Sequence, residues 1–169
     1  GAGKERLTRE RIEELYPDLL AKLAEHPGIG VLIVRSAQHG LLCMGAHGVN
    51  HLDEDRIDGT DPLAVYGAHA EAAVRRLDEI EHVGDIGVIS ACDPETEEIA
   101  AFEELIGAHG GLGGSQTKPF LVHPAEWELD LAPLLGEPMV YRQLRGWMER
   151  ELGMTFGLTR ERATEERGR

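Results

Sequence analysis

His109 is the residue of this 169-residue chain whose surroundings most invite chemistry. It lies in Gly107-Ala108-His109-Gly110-Gly111-Leu112-Gly113-Gly114-Ser115-Gln116, where five of the eight residues from 107 to 114 are glycine. Such a backbone accepts positive φ and lets amides approach a ligand closely. A neutral imidazole held there can offer one nitrogen to a divalent metal while a neighbouring group orients the other. The alternative is structural: the ring caps the preceding helix or hydrogen-bonds within the loop. Gln116 and Thr117 follow closely enough to touch a substrate, with turn formation as their other role. The run lacks the Gly-Lys-Ser/Thr ending of a phosphate-cradling loop, and it follows a helical pattern instead of joining a strand to a helix. A dinucleotide fingerprint also fails, because Gly111-Leu112-Gly113 continues as Gly114-Ser115-Gln116.

Other residues offer weaker chemistry. Asp78 and His82 stand four apart, which puts two metal ligands on one face unless the helix stops before His82. His39, His47 and His51 sit in or beside turns, and their spacing matches no metal-ligand template, so each reads as a loop histidine. Asp53, Asp55, Asp58 and Asp61 alternate as an oxygen-rich calcium loop would. Counting from Asp53, however, the sixth and twelfth places hold Asp58 and Ala64 where that loop needs Gly and Glu. A solvated acidic loop is the expectation. Ser36, Ser90 and Ser115 are the obvious hydroxyls, and none lies in a Gly-x-Ser-x-Gly elbow.

The elements that must hold these residues follow from patterning. Thr8 can cap a short helix in which Ile12 and Leu15 share a face, and Pro17 suits the first turn of a second helix carrying Leu19, Leu20 and Leu23. Ile29 to Val34 is a β-branched run that reads as a buried strand, and Leu41 to Met44 follows at hairpin distance across Gln38-His39-Gly40. Residues 45–62, rich in Gly, Asp, His and Asn, read as a long loop. A helix is expected from Ala64 to Ile80, a strand at Ile86-Gly87-Val88-Ile89, and a helix from Glu97 to Ile106 burying Ile99, Phe102, Leu105 and Ile106. Phe120 to Val122 is a short strand candidate. Met139 to Leu152 reads as a last amphipathic helix with Trp147 and Met148 as packing residues. Strands alternating with helices predict an α/β fold with a small mixed sheet.

Composition bounds the role. A formal net charge of −14 repels phosphate backbones and anionic lipid, so binding to nucleic acid or a membrane surface as the main role is disfavoured, and a phosphate-bearing substrate would need bound cations to invert the local sign. No stretch approaches the roughly 20 apolar residues of a membrane-spanning helix, and Gly1 to Arg6 has no apolar signal-peptide core. The two cysteines, Cys43 and Cys92, lie in apolar surroundings and are expected to be buried free thiols. Residues 1–152 read as one body. The polar remainder, 153–169, ends in a stretch with four arginines and three glutamates from Thr159 onward and reads as a frayed tail.

The run from Phe102 to Leu121, with His109-Gly110-Gly111-Leu112-Gly113-Gly114 as its most specific piece, resembles the carboxy-terminal part of bacterial proteins in the alkaline phosphatase superfamily. The branch is the type I phosphodiesterase or nucleotide pyrophosphatase-like one. His26 to Gly30 through Ser36, Asp61-Pro62-Leu63 and Val83-Gly84-Asp85-Ile86 resemble it in the same order, so the likeness covers roughly residues 7–150. The resemblance implies part of a three-layer sandwich and a hydrolase with two divalent ions, commonly zinc. These ions clamp a phosphoryl group of a phosphate-ester substrate while a Ser or Thr attacks in line. It further implies His109 as one metal ligand and Gly110, Gly111, Gly113 and Gly114 as the loop beside it. Family members are often membrane-attached. No Asp-His-Gly motif occurs in this sequence, so the nucleophile and most ligands are expected in a preceding portion of the catalytic domain, which is the partner this chain needs. Alone it is expected to be inert and to expose a sheet edge or face. The alternative is a stand-alone acidic α/β module that binds or assembles and performs no chemistry.

Overall fold

Val31, Leu32, Ile33 and Val34 are four consecutive apolar residues, and all four are buried in the computed structural model. A strand covered on both faces requires that pattern. The structure describes residues 6–102, 111–113, 117–130 and 133–154. It divides into two compact units, Gly1–Pro119 and Phe120–Arg169.

In the first unit, α1 (Arg9–Leu15) and α2 (Leu19–Ala24) precede β1 (Ile29–Ser36), β2 (Gly40–Gly45), β3 (Gly48–His51), β4 (Arg56–Gly59), α3 (Ala70–Asp78) and β5 (Ile86–Ser90). The strands form one sheet in the order β4-β3-β2-β1-β5, and every pairing is antiparallel. The expected mixed sheet is therefore corrected. Three successive hairpin connections fix β1 to β4 as antiparallel neighbours, and α3 then carries the chain to the opposite edge, where β5 runs antiparallel to β1. Val31, Ile33, Leu41 and Cys43 face one cluster with Leu63, Tyr66, Ala70 and Val74. Leu32, Val34, Leu42 and Met44 face the other with Ile12, Leu20 and Ala24. Period-two alternation thus sends neighbouring residues into two cores, with α1 and α2 packed on one side and α3 on the other.

The hairpin of β1 and β2 forms as expected, with Val34 opposite Leu42. Residues 45–62 do not form a loop: β3 and β4 pair there, with Val49 opposite Asp58 and Asn50 opposite Ile57. Their few β-branched residues hide the strands, which β2 templates by offering its edge, Met44 against Val49. The helix expected from Ala64 breaks into a single turn, Ala64–Tyr66, and α3, because Gly67 takes φ 87°. Thr8 caps α1 by accepting from the Arg11 amide at 3.4 Å. Ile12 is buried, whereas Leu15 is 44% exposed and does not share its face. Pro17 precedes α2 by two residues, and Asp18 between them takes φ 65°.

The helix expected from Glu97 does not form over residues 97–102. Asp93 Oδ1 accepts from the amides of Glu95 and Thr96, which turns the chain back so that Ile99 bridges Cys92. This local carboxylate competes with helical hydrogen bonding. The continuation, residues 103–106, lies outside the described residues.

In the second unit, α4 (Glu137–Glu151) starts with Pro138 in its first turn. Trp147 is buried, and its indole N–H donates to the Glu128 carbonyl at 2.7 Å. Gln143 is buried beside it and accepts from the Asp130 amide at 2.8 Å. Residues 120–122 are not a strand: Phe120 is 89% and Val122 83% exposed, and Pro119 and Pro124 remove amide donors at either end. Among the described residues, no helix is long and apolar enough to cross a membrane.

Candidate functional site

Of the residues expected to act, His109, Gly110, Gly114 and Gln116 lie outside the described residues, as does Ser115. Gly111 and Thr117 are exposed, while Gly113 is buried. Leu112 packs against the core cluster under α3. A Cβ on Gly113 would stand 2.6 Å from the Tyr66 carbonyl oxygen and 2.7 Å from its Cα. The end of the glycine run is thus seated by backbone-to-backbone contact that no larger residue permits. Tyr66 is itself fixed, because its hydroxyl donates to the Ser90 carbonyl at 2.7 Å, and burial pushes its phenol up to about 12. It serves as a neutral donor rather than a base. Next to it, Gly67, Ala68, Glu71, Asn50 and Asp61 line a cleft of about 320 Å³.

The minor candidates separate. Asp78, whose side chain is 5% exposed, pairs with Arg6 at 2.5 Å and with Arg35. His82 is 82% exposed with φ 66°, beyond the end of α3, so the two do not form a ligand pair. The four aspartates do not converge either. Asp53 accepts from the Leu41 amide and from Arg75, whereas Asp61 accepts from the Asn50 side-chain amide and the Leu63 amide. Asp58 pairs with Arg56. Ser36 donates to Glu10 at 2.5 Å and accepts from the Gln38 and His39 amides, a turn-forming task.

What the sequence does not suggest is a group made by His39, His51 and Glu54. One ligand atom from each falls within 4.8 Å of the others. Strand register brings them together: His51 ends β3, a turn at Leu52–Glu54 reverses the chain, and the turn preceding β2 carries His39. His39 Nδ1 lies 2.7 Å from Glu54 Oε1, and His51 Nδ1 lies 3.9 Å from Glu54 Oε2. The imidazoles meet edge to face, with centroids 5.4 Å apart. His51 Nε2 stands 3.0 Å from Asp58 Oδ2, and Arg56 Nη2 stands 3.0 Å from His51 Nδ1. Since a guanidinium only donates and a carboxylate only accepts, the tautomer that satisfies both carries its proton on Nε2. The hydrogen bond from His39, followed by that from Arg56, holds the Glu54 carboxyl below its usual range. Cys43 lies buried in the core and is no ligand, its thiol pushed up to about 12 by burial.

No family model, curated protein or solved structure matches this chain.

Proposed function

We propose that this chain is the carboxy-terminal part of a metal-dependent phosphoesterase with an alkaline-phosphatase-like sandwich. In it His109 supplies one ligand to a divalent ion, of the zinc class, and the run 110–114 lets backbone amides approach the phosphoryl group. The observation that supports this reading is the seat of Gly113 on Tyr66. It anchors the glycine run at Gly113 against the first unit's core. Two such ions, when bound, polarise the phosphoryl oxygens and neutralise charge developing in the transition state. They also supply the positive potential that a chain of net charge −14 lacks. The Ser or Thr nucleophile belongs to the remainder of the catalytic domain.

The test is an assay of the natural polypeptide that contains this sequence, with zinc or manganese and aryl phosphate mono- and diesters. His109→Ala is expected to lower turnover and metal content together. Unchanged turnover and unchanged metal content would overturn the assignment.

One observation favours a second reading, a non-catalytic acidic module. Both faces of the first unit's sheet are covered by the chain's own helices, α1 and α2 on one side and α3 on the other, as a self-sufficient fold requires. On this reading the chain alone is a monomer that unfolds cooperatively, binds no apolar dye and turns over no phosphate ester in any context.

A further inference from the structure

The side chains of His39, His51 and Glu54 share a feature that an ordinary surface ion network does not need. One potential metal-ligating atom of each lies within 4.8 Å of the others. His51 is the most constrained of the three, its side chain being 5% exposed. With Nε2–H donating to Asp58, Nδ1 is left to accept from Arg56 Nη2 at 3.0 Å, and Glu54 Oε2 lies 3.9 Å from it. A carboxylate that fixes the tautomer of a histidine through its far nitrogen is the support that metal-bound histidines use, and it raises the basicity of the nitrogen left free. The turn that carries His39 is fixed as well, because Ser36 Oγ accepts from the His39 amide at 3.0 Å.

We propose that His39 Nδ1, His51 Nδ1 and the Glu54 carboxylate form a binding site for a divalent transition metal of the zinc class, with Asp58 as positioning residue and Arg56 as the cation that the metal displaces. Two imidazoles and one carboxylate suit zinc, whereas calcium and magnesium prefer an all-oxygen set. Ligand atoms around tetrahedral zinc stand about 3.3 Å apart. The separations here, 2.7 Å from His39 Nδ1 to Glu54 Oε1 and 3.9 Å from His51 Nδ1 to Glu54 Oε2, run to the two oxygens of one carboxylate, and one ligand atom from each residue lies within 4.8 Å of the others, so side-chain rotation must draw the set inward around an ion. Three protein ligands leave a fourth position for water. His39 at 38% and Glu54 at 35% exposure leave a path for the ion to enter.

Arg56 explains how these ligands stay together before metal arrives. Its guanidinium bonds Glu54 Oε2 through Nε at 3.1 Å and His51 Nδ1 through Nη2 at 3.0 Å, so it holds the atoms that the metal would take. It also pairs with Asp58, a partner it keeps when it moves aside. The site owes nothing to His109 or to the phosphoesterase reading.

The experiment uses the whole chain, freed of metal by chelation and titrated with cobalt(II), whose four-coordinate complexes absorb strongly in the visible. Zinc is then added in competition. One equivalent of cobalt is expected to give those bands, and zinc to abolish them. His39→Ala and Glu54→Gln, both at half-exposed positions that leave the core intact, are expected to weaken binding at least about tenfold. Arg56→Gln is expected to tighten it several-fold. His109→Ala leaves it unchanged. Circular dichroism verifies that each variant is folded. Absence of the bands in the parent chain, or undiminished binding in both His39→Ala and Glu54→Gln, would overturn the site. Loss of the bands in His109→Ala alone would assign the metal to the glycine run instead. Weaker binding in Arg56→Gln would refute the displacement.

Discussion

The backbone of Gly113 rests on the backbone of Tyr66 so closely that a methyl group at residue 113 would stand 2.6 Å from the Tyr66 carbonyl oxygen. Neither side of that contact is a flexible side-chain end, so relief requires the glycine run or the turn at Ala64–Tyr66 to move. Gly113→Ala is expected to cost about 1–3 kcal/mol, the range for forcing extra volume into a packed site. Urea unfolding of the purified chain measures it. An unaltered midpoint would show that the seat yields freely and that its glycine is not needed there for space.

A second contact joins the amino-terminal approach, β1 and α3. Asp78 ends α3, and its nearly buried carboxylate receives Arg6 at 2.5 Å and Arg35 Nε at 3.0 Å. Burial would raise its pKa, but the two guanidinium groups prevail and hold the carboxyl below the ordinary aspartate range. Removing that charge leaves two cations facing each other. Asp78→Asn is therefore expected to destabilise the chain by about 3 kcal/mol, and Arg35→Gln by less, because Arg6 still neutralises Asp78. Equal losses for both variants would contradict this ordering.

The sequence made part of this architecture legible. Val31 to Val34 announce a strand buried on both faces because no polar residue interrupts them, and Gln38-His39-Gly40 announce the hairpin that follows. Strands β3 and β4 escape notice because Asn50, Asp58 and their glycines carry loop chemistry, and only the exposed edge of β2 makes them strands. The helix expected over Glu97 to Ile106 fails in its first part for the converse reason. Its periodicity is sound, but the Asp93 carboxylate captures the amides of Glu95 and Thr96 and turns the chain first. The same distinction governs the site. His39, His51 and Glu54 meet through a strand end and two turns, so no fixed spacing along the chain encodes them. The glycine run, by contrast, is conspicuous in sequence, and one of its glycines has a purely steric reason.

The two thiols offer a direct probe of burial. Cys43 faces the core from β2 with no exposed surface, and burial pushes its thiol up to about 12, which leaves almost no thiolate at neutral pH. Cys92 follows β5 and is half-buried. Iodoacetamide on the native chain is expected to modify Cys92 and spare Cys43, and to modify both in denaturant. Peptide mass mapping reads the result. Early labelling of Cys43 under native conditions would mean that the sheet opens far more often than its packing implies.

Acid tests a contact that shapes the turn carrying His39. Glu10 of α1 accepts from the Ser36 hydroxyl at 2.5 Å and from the Ala37 amide at 2.9 Å. Partial burial pushes its pKa up, but these hydrogen bonds outweigh burial and lower it from 4.5 to about 2. A depressed carboxyl in the folded state means that the unfolded chain binds more protons between those two values. The stabilisation from Glu10 is thus fully present above 4.5 and is lost as the pH falls through about 2. Glu10→Gln is expected to cost about 1 kcal/mol near neutrality. In urea titrations carried from about pH 7 to about pH 3, the gap between parent and variant should hold level down to the unfolded pKa of 4.5 and narrow below it. A gap of constant size across that range would show that the Glu10 charge contributes nothing and that the contact stabilises through shape alone.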